Sequence, residues 1–301
     1  MKIFKTEKGK RAVFESYDRL LVAWGVEFEE RFIDGSFGRT HVILAGNESK
    51  PPLLLFHGVG DNSSLMWIYN AKGLCERFRI IAVDTMGGAG KSEPGHRYDK
   101  GFSLRKWQGE ILDSLKLEKT YAAGVSYGSY LAQLIASAFP ERIMGIVAMS
   151  GTLFCAGALK ASNKRMLTVF LPALLVPFGK NGGKARLIKA LTGPKRDKVF
   201  ENRELFNHWN MLMSKYAGPM AQRRHDRKEL SEEEIASFRE KALFLIGEKD
   251  ELFYEQAVTN FAKYDINYRI IEGVGHTLNH EEPEIANRAI INFLLEGKLE
   301  K

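Results

Sequence analysis

The pentapeptide Gly124-Val125-Ser126-Tyr127-Gly128 constrains this chain more than any other feature. A short apolar run, Tyr121 to Ala123, precedes it and a helical pattern, Tyr130 to Phe139, follows, so its context is strand, sharp turn, helix. Such a turn forces its central residue into a strained backbone conformation and leaves no room for side chains beside it, so glycine is needed on both flanks. Ser126 then stands at the carboxyl end of a strand with its hydroxyl exposed. The helix behind it adds free N–H groups and a positive dipole end, which favour negative charge nearby. G-x-S-x-G also arises by chance, as a Gly-rich turn with an incidental serine, so the meaning of Ser126 depends on the rest of the chain.

The chain alternates strands and helices on both sides of this turn. Lys10 to Val22 has helical spacing, and Val26 to Phe32 with Thr40 to Ala45 reads as a hairpin around Asp34-Gly35 and Phe37-Gly38. Leu53 to Phe56 and Arg79 to Val83 are continuous apolar runs of the kind buried in a parallel sheet. Leu65 to Leu74 and Phe102 to Leu115 are helical, and Arg142 to Met149 is the strand after the turn. Alternation resumes with strand Ala242 to Ile246, helix Gln256 to Tyr264, strand Asn267 to Ile271 and an amphipathic helix Glu284 to Leu295. This is an α/β pattern with a mostly parallel sheet.

Residues 152–238 break that rhythm. Helical patterns such as Met166 to Val176, Ala185 to Leu191 and Glu201 to Tyr216 follow one another without strands, as in a helical lid between two parts of one core, 1–151 and 239–301. Met166, Phe170, Phe206, Trp209, Met211, Met213 and Tyr216 are its apolar residues, either lining a substrate cavity or packing the lid's own core. Charge matters here. From Thr152 to Lys241 there are 18 Lys and Arg against 9 Asp and Glu, so this stretch carries the whole net charge of +7. The basic residues are scattered and form no recognised nucleic-acid motif, so a solvated face is expected and no nucleic acid.

Two loops complete the pattern. His57-Gly58-Val59-Gly60 ends the strand Leu53 to Phe56, and a His-Gly turn there directs a backbone N–H, that of Val59, towards the serine. Asp84 to Ser92 ends in Gly90-Lys91-Ser92 like a P-loop, but the first glycine of that motif is replaced by Thr85. A serine hydroxyl needs a base within reach and a carboxylate to fix the base's tautomer. Asp250, three residues past Gly247, and His276, after Gly275, follow Ser126 on loops after successive strands. His280 lies beside Glu281 and Glu282 at the start of the last helix, where a surface or capping role is expected. The strand ending at Met149 is followed by no carboxylate, which favours Asp250.

In this order and context Ser126, Asp250 and His276 identify the chain as resembling the α/β-hydrolase superfamily. His57-Gly58 with Ser63, Ser64, Met66 and Trp67, then Ala82-Val83-Asp84, Phe139-Pro140-Glu141-Arg142 and Gly275-His276, are similar to bacterial carboxylesterases of the naproxen-esterase type. The chain departs from them at Tyr127 and Ser129. The resemblance implies an α/β-hydrolase fold with an eight-stranded, mostly parallel sheet and a helical lid. It implies ester hydrolysis through an acyl-enzyme, with Val59 and Tyr127 N–H as the oxyanion hole, a small ester or acyl substrate with an apolar acyl part, and no cofactor or metal. Carbon–carbon bond hydrolases, lactonases and amino-terminal peptidases share the triad; a non-catalytic ligand receptor shares the scaffold. Aspartate-dependent dehalogenases and epoxide hydrolases are excluded by Ser126. The first residues have no signal-peptide core and no run approaches the about 18 apolar residues of a membrane span, so a cytoplasmic protein without membrane contact is expected. Cys75 and Cys155 have no metal-ligand spacing and are expected to be reduced and packed.

Overall fold

The computed structural model describes residues 2–175, 183–217 and 221–299, whose strands join in one mixed sheet. They are β1 Phe28–Gly35, β2 Gly38–Ala45, β3 Pro52–Phe56, β4 Arg79–Val83, β5 Glu93–Pro94, β6 Thr120–Val125, β7 Ile143–Met149, β8 Ala242–Gly247 and β9 Asn267–Ile271. The order β1-β2-β4-β3-β6-β7-β8-β9 gives the expected eight-strand path. The two-residue β5 pairs with β2 beside it; a pair containing proline has no periodicity to reveal it. β1 and β2 form the expected hairpin, β2 is antiparallel to β4, and all later neighbours are parallel.

Helices cover both faces, which is why the central strands are apolar throughout. Along β3, Leu54 and Phe56 join a cluster with Trp107 and Tyr130, while Leu53 and Leu55 join the opposite one with Trp24 and Trp67. The chain order reverses between β3 and β6, since β4 lies on one side of β3 and β6 on the other. Phe56 pairs with Gly124, so the loops leaving β3 and β6 emerge side by side at the carboxyl edge. Ligands of open α/β sheets bind in such a crevice.

Local chemistry moved some helix ends. The first helix, Glu7–Ala23, starts before Lys10 because Thr6 accepts the Gly9 N–H at 3.0 Å as its N-cap. The helix expected over Leu65 to Leu74 is two short ones, Ser63–Met66 and Ala71–Cys75. Asn70, at the break, is tied by its side chain to Asn287 at 3.0 Å.

Between β7 and β8 the described residues form helices Ala158–Leu175, Gly183–Leu191, Arg196–Phe200, Arg203–Lys215 and Glu232–Ala236 with no strand of the main sheet among them. Val176, the expected end of one helix, lies outside the described residues, as does the side chain of Phe170. The amino-terminal segment is stitched to this insertion. Lys5 N–H donates to Lys215 O at 2.9 Å, Ala217 N–H donates to Ile3 O at 2.8 Å, and Arg19 pairs with Glu204. Cys75 and Cys155 are free and buried. Among the described residues no helix is long and apolar enough to cross a membrane.

Candidate active site

Ser126 leaves β6 with φ 57° and ψ −115°, outside the regions an L-residue ordinarily occupies, and the helix Tyr127–Ala138 starts at the next residue. Its neighbours explain how that conformation is held. A Cβ built at Gly124 would lie 2.0 Å from Gly128 O, and one at Gly128 would lie 2.1 Å from Phe56 O. Neither flank admits a side chain. Ser126 N–H donates to Met149 O at 2.9 Å, and its carbonyl accepts from Ser129 N at 2.9 Å and Ser129 Oγ at 2.6 Å, so the serine at position 129 adds a tie. Strained residues of this kind, fixed by their surroundings, cluster at functional sites.

The β3 loop runs against this turn. A Cβ at Gly58 would sit 3.4 Å from Ser126 Cβ, so glycine lets the loop pass the serine closely. His57 works within the loop. Its Nδ1 donates to Gly58 O at 2.8 Å and its Nε2 accepts from Thr85 N–H at 2.9 Å, while burial lowers its pKa. Tyr127 opens its helix, so its N–H has no intrahelical acceptor, and the Val59 N–H has no backbone acceptor among the described residues. Asp61, just beyond, is partly open; burial raises its carboxyl to about 7 against the Asn62 N–H bond, with the charge of Asp84 adding to the rise.

Asp250 and His276 meet on the loops after β8 and β9, on the same edge as Ser126. His276 Nδ1 lies 2.9 Å from Asp250 Oδ2. The other carboxylate oxygen, Oδ1, accepts from Leu252 N–H at 2.9 Å and Phe253 N–H at 3.1 Å. These two bonds fix the plane of the carboxylate, and the Phe253 ring stacks on His276 at 5.6 Å between centroids. The pair is buried, with Asp250 2% and His276 7% exposed.

Among the contacts that the described part of the inserted segment makes with these loops are three that the sequence left unread. Tyr216 donates to Gly87 O at 3.2 Å, and its ring reaches within 4.0 Å of a Cβ built at Gly60. Tyr127 O–H lies 2.5 Å from His225 Nδ1, and His225 Nε2 lies 2.9 Å from Met86 O. A carbonyl accepts only, so Nε2 carries the proton and Nδ1 accepts from the tyrosine; burial pushes His225 down to about 4. The departure at Tyr127 was visible in the sequence, but its partner 98 residues away was not. Third, the stretch after Leu191 lies on the His276 loop: Thr277 N–H donates to Leu191 O at 3.0 Å. Of the other lid residues, Phe206 and Trp209 pack on Phe200, Met166 and Met211 are partly buried, and Met213 is 45% exposed.

His280 is buried, against the surface or capping role expected of it, and so is Glu281 beside it. The last helix does not start there: His280 sits in a separate turn, Leu278–Glu281, and its Nε2 donates to Met66 O at 2.8 Å.

The Gly-rich loop encloses a carboxylate. Asp84 accepts Ser63 N–H at 2.9 Å and Lys91 N–H at 2.8 Å, and bonds Tyr17 Oη and His41 Nδ1, both at 2.9 Å. Burial works against the charges, but the bonds outweigh it: Asp84 lies well below the usual carboxylate range and His41 is raised to about 9. An acidic centre repels phosphate, so this loop is structural.

Known proteins are similar to this chain over most of its length. The model of the alpha/beta hydrolase fold family matches residues 51–283. The chain is 28% identical over 309 residues to carboxylesterase YbfK of Bacillus subtilis, covering 99% of this chain and 98% of the relative. It is 27% identical over 298 residues to the uncharacterized carboxylesterase nap of the same organism, covering 93% and 91%. The crystal structure of naproxen esterase from Bacillus subtilis superposes with a TM-score of 0.75 at 24% identity, over 96% of this chain and 99% of that one.

Proposed function

Because the chain belongs to the alpha/beta hydrolase fold family and is related to carboxylesterases at 28% identity, we propose that it is a serine hydrolase cleaving small carboxylic esters through an acyl-enzyme. The observation that carries this reading is the Asp250–His276 hydrogen bond on the same sheet edge as the strained Ser126.

Asp250, with Oδ1 occupied by two N–H groups, presents Oδ2 to His276 Nδ1–H and so leaves Nε2 of the ring as the free base. His276 removes the Ser126 proton as Oγ attacks the carbonyl carbon. The oxyanion is held by the Val59 and Tyr127 N–H groups, which are backbone donors aimed before reaction begins. His276, now charged and stabilised by Asp250, gives its proton to the leaving alcohol. Water activated by the same nitrogen then releases the acid and restores the serine.

The helices of residues 152–238 form a lid on this site, a role supported by the contacts of Tyr216, His225 and Leu191 with the loops of the core. The substrate is a small ester with an apolar acyl part, and the enzyme works in the cytoplasm, in keeping with its two unpaired thiols. The test is the burst and steady-state release of nitrophenol from short and medium acyl esters by the wild-type protein and by Ser126→Ala. Turnover lost in the variant supports the reading; equal turnover in both, or none in the wild-type protein, overturns it.

A further inference from the structure

Glu281 is fully buried, and its carboxylate is spent on the surroundings of His276. Its Oε1 accepts from Gly275 N–H at 3.1 Å and Thr277 Oγ1 at 2.8 Å, the residues immediately before and after the histidine. Both carboxylate oxygens also accept from Gly193 N–H, at 3.1 and 3.0 Å, and Gly193 belongs to the inserted helical segment. The backbones meet closely at this point. A Cβ built at Gly193 would lie 2.6 Å from Gly275 N and 2.7 Å from Glu281 Oε2, and one at Gly275 would lie 2.3 Å from Gly193 N. The Thr277 to Leu191 bond and the Lys195–Glu282 ion pair flank the same seam.

A buried carboxylate is costly unless its bonds satisfy it. Here burial raises its pKa against the effect of the N–H and hydroxyl bonds, so the group is retained at a cost to stability. Its donors define what that cost supports. Gly275 and Thr277 fix the backbone on either side of the base, and Gly193 is the point at which the insertion reaches it. Asp250 orients the ring of His276, and among the described residues only Glu281 receives donors from both its neighbours at once.

We propose that Glu281 is the positioning residue for His276, and that through Gly193 it makes the placement of the base depend on the seating of the helical segment. This rests on the triad reading above. A base displaced by about 1 Å costs about a hundredfold in rate. Glu281→Gln keeps the size of the side chain but turns an amide N–H₂ towards one of the N–H donors. Gly193→Ala perturbs the same seam from the other side and leaves Glu281 intact. Both variants should lose about a hundredfold in kcat with KM nearly unchanged, and Ser126 should react more slowly with a fluorophosphonate by a similar factor.

The experiment measures nitrophenyl ester kinetics, fluorophosphonate labelling rates and burst amplitudes on folded wild-type, Glu281→Gln and Gly193→Ala proteins, with Lys195→Ala as the control at the exposed edge of the seam. Slower labelling at an unchanged number of reactive sites, with Lys195→Ala near wild type, supports the proposal. Labelling rates per reactive site equal to wild type overturn it, including the case where the variants merely contain fewer competent molecules. Wild-type labelling without ester turnover removes the ester reading alone, and the ratio of labelling rates still decides. If wild-type Ser126 is not labelled at all, the triad and this proposal fall together.

Discussion

Replacing Asp250 with asparagine isolates what the carboxylate does, because the structure dictates which way the amide must lie. Leu252 and Phe253 N–H groups at 2.9 and 3.1 Å require an acceptor at Oδ1. Placing the amide N–H₂ there would leave two buried N–H groups unsatisfied, each costing about 1–3 kcal/mol, so the preferred orientation wins by about 2–6 kcal/mol. The N–H₂ is then forced to face His276 Nδ1, where the carboxylate oxygen stood at 2.9 Å. It donates to that nitrogen, and the ring must carry its proton on Nε2, the position that has to accept from Ser126. Loss of the correct tautomer in this way costs about 10⁴-fold in kcat, or roughly 5.5 kcal/mol of barrier. Stability is barely touched, since both bonds at Oδ1 survive. Asp250→Ala reverses the two effects: it orphans the two N–H groups and lowers the melting temperature, but leaves the ring free to take either tautomer. Asparagine should therefore be the more stable variant and no more active than alanine. Steady-state ester hydrolysis, with circular dichroism melts of the three proteins, reads both orders. An Asp250→Asn enzyme within tenfold of wild type would refute the reasoning.

Other expectations follow from the same geometry. Gly124→Ala or Gly128→Ala puts a methyl about a bond length inside a backbone carbonyl, so either should abolish activity and lower the urea midpoint, whereas Ser129→Ala should keep most activity. Tyr127→Phe leaves His225 Nδ1 buried without a partner, at about 1–3 kcal/mol of stability in denaturant melts, with kcat within a few-fold because the proposed oxyanion donor is backbone. His208, His225 and His280 are each lowered to about 4 by burial, so the unfolded chain binds more protons than the folded one between pH 6.5 and 4. Their contribution is present above 6.5 and lost as pH falls through that window. His41, raised to about 9 by Asp84 and Glu30 against its burial, contributes below 6.5 and is lost as pH rises towards 9. Urea midpoints should peak near neutrality, and a midpoint that rises on acidification to pH 4.5 would contradict this. Asp61→Asn should remove one ionisation near pH 7 from the titration of the folded protein, read by potentiometry against wild type.

Much of this was legible in the residues because the deciding signals are local. β4 and β9 have the ends read from their apolar runs, and the turn at Ser126 announces itself through two glycines. Asp250 and His276 were found by order along the chain, since each parallel strand delivers its following loop to one edge. What escaped depends on pairs distant in sequence. Asn70 breaks an otherwise helical pattern for the sake of Asn287, 217 residues on. His225 has no local signal linking it to Tyr127. Glu281 carries no local signal of its role because its three partners are backbone N–H groups and a threonine, none of which advertises an anion. The Thr6 cap lies outside the apolar periodicity that marks the helix, so it shifts the start without changing that pattern.

The stitching of the amino-terminal segment to the insertion also sets an order in time. The partners of Lys5 and Ile3 lie more than 200 residues downstream, at Lys215 and Ala217. At about 5–20 residues per second of synthesis, the first helix emerges roughly 10–40 seconds before its counterpart. Through that interval Val13, Leu20 and Leu21, all fully buried in the finished molecule, have no insertion to lie against. A nascent chain of this kind offers a chaperone an early apolar helix, and until residues 203–215 emerge only the core side of that helix can be covered.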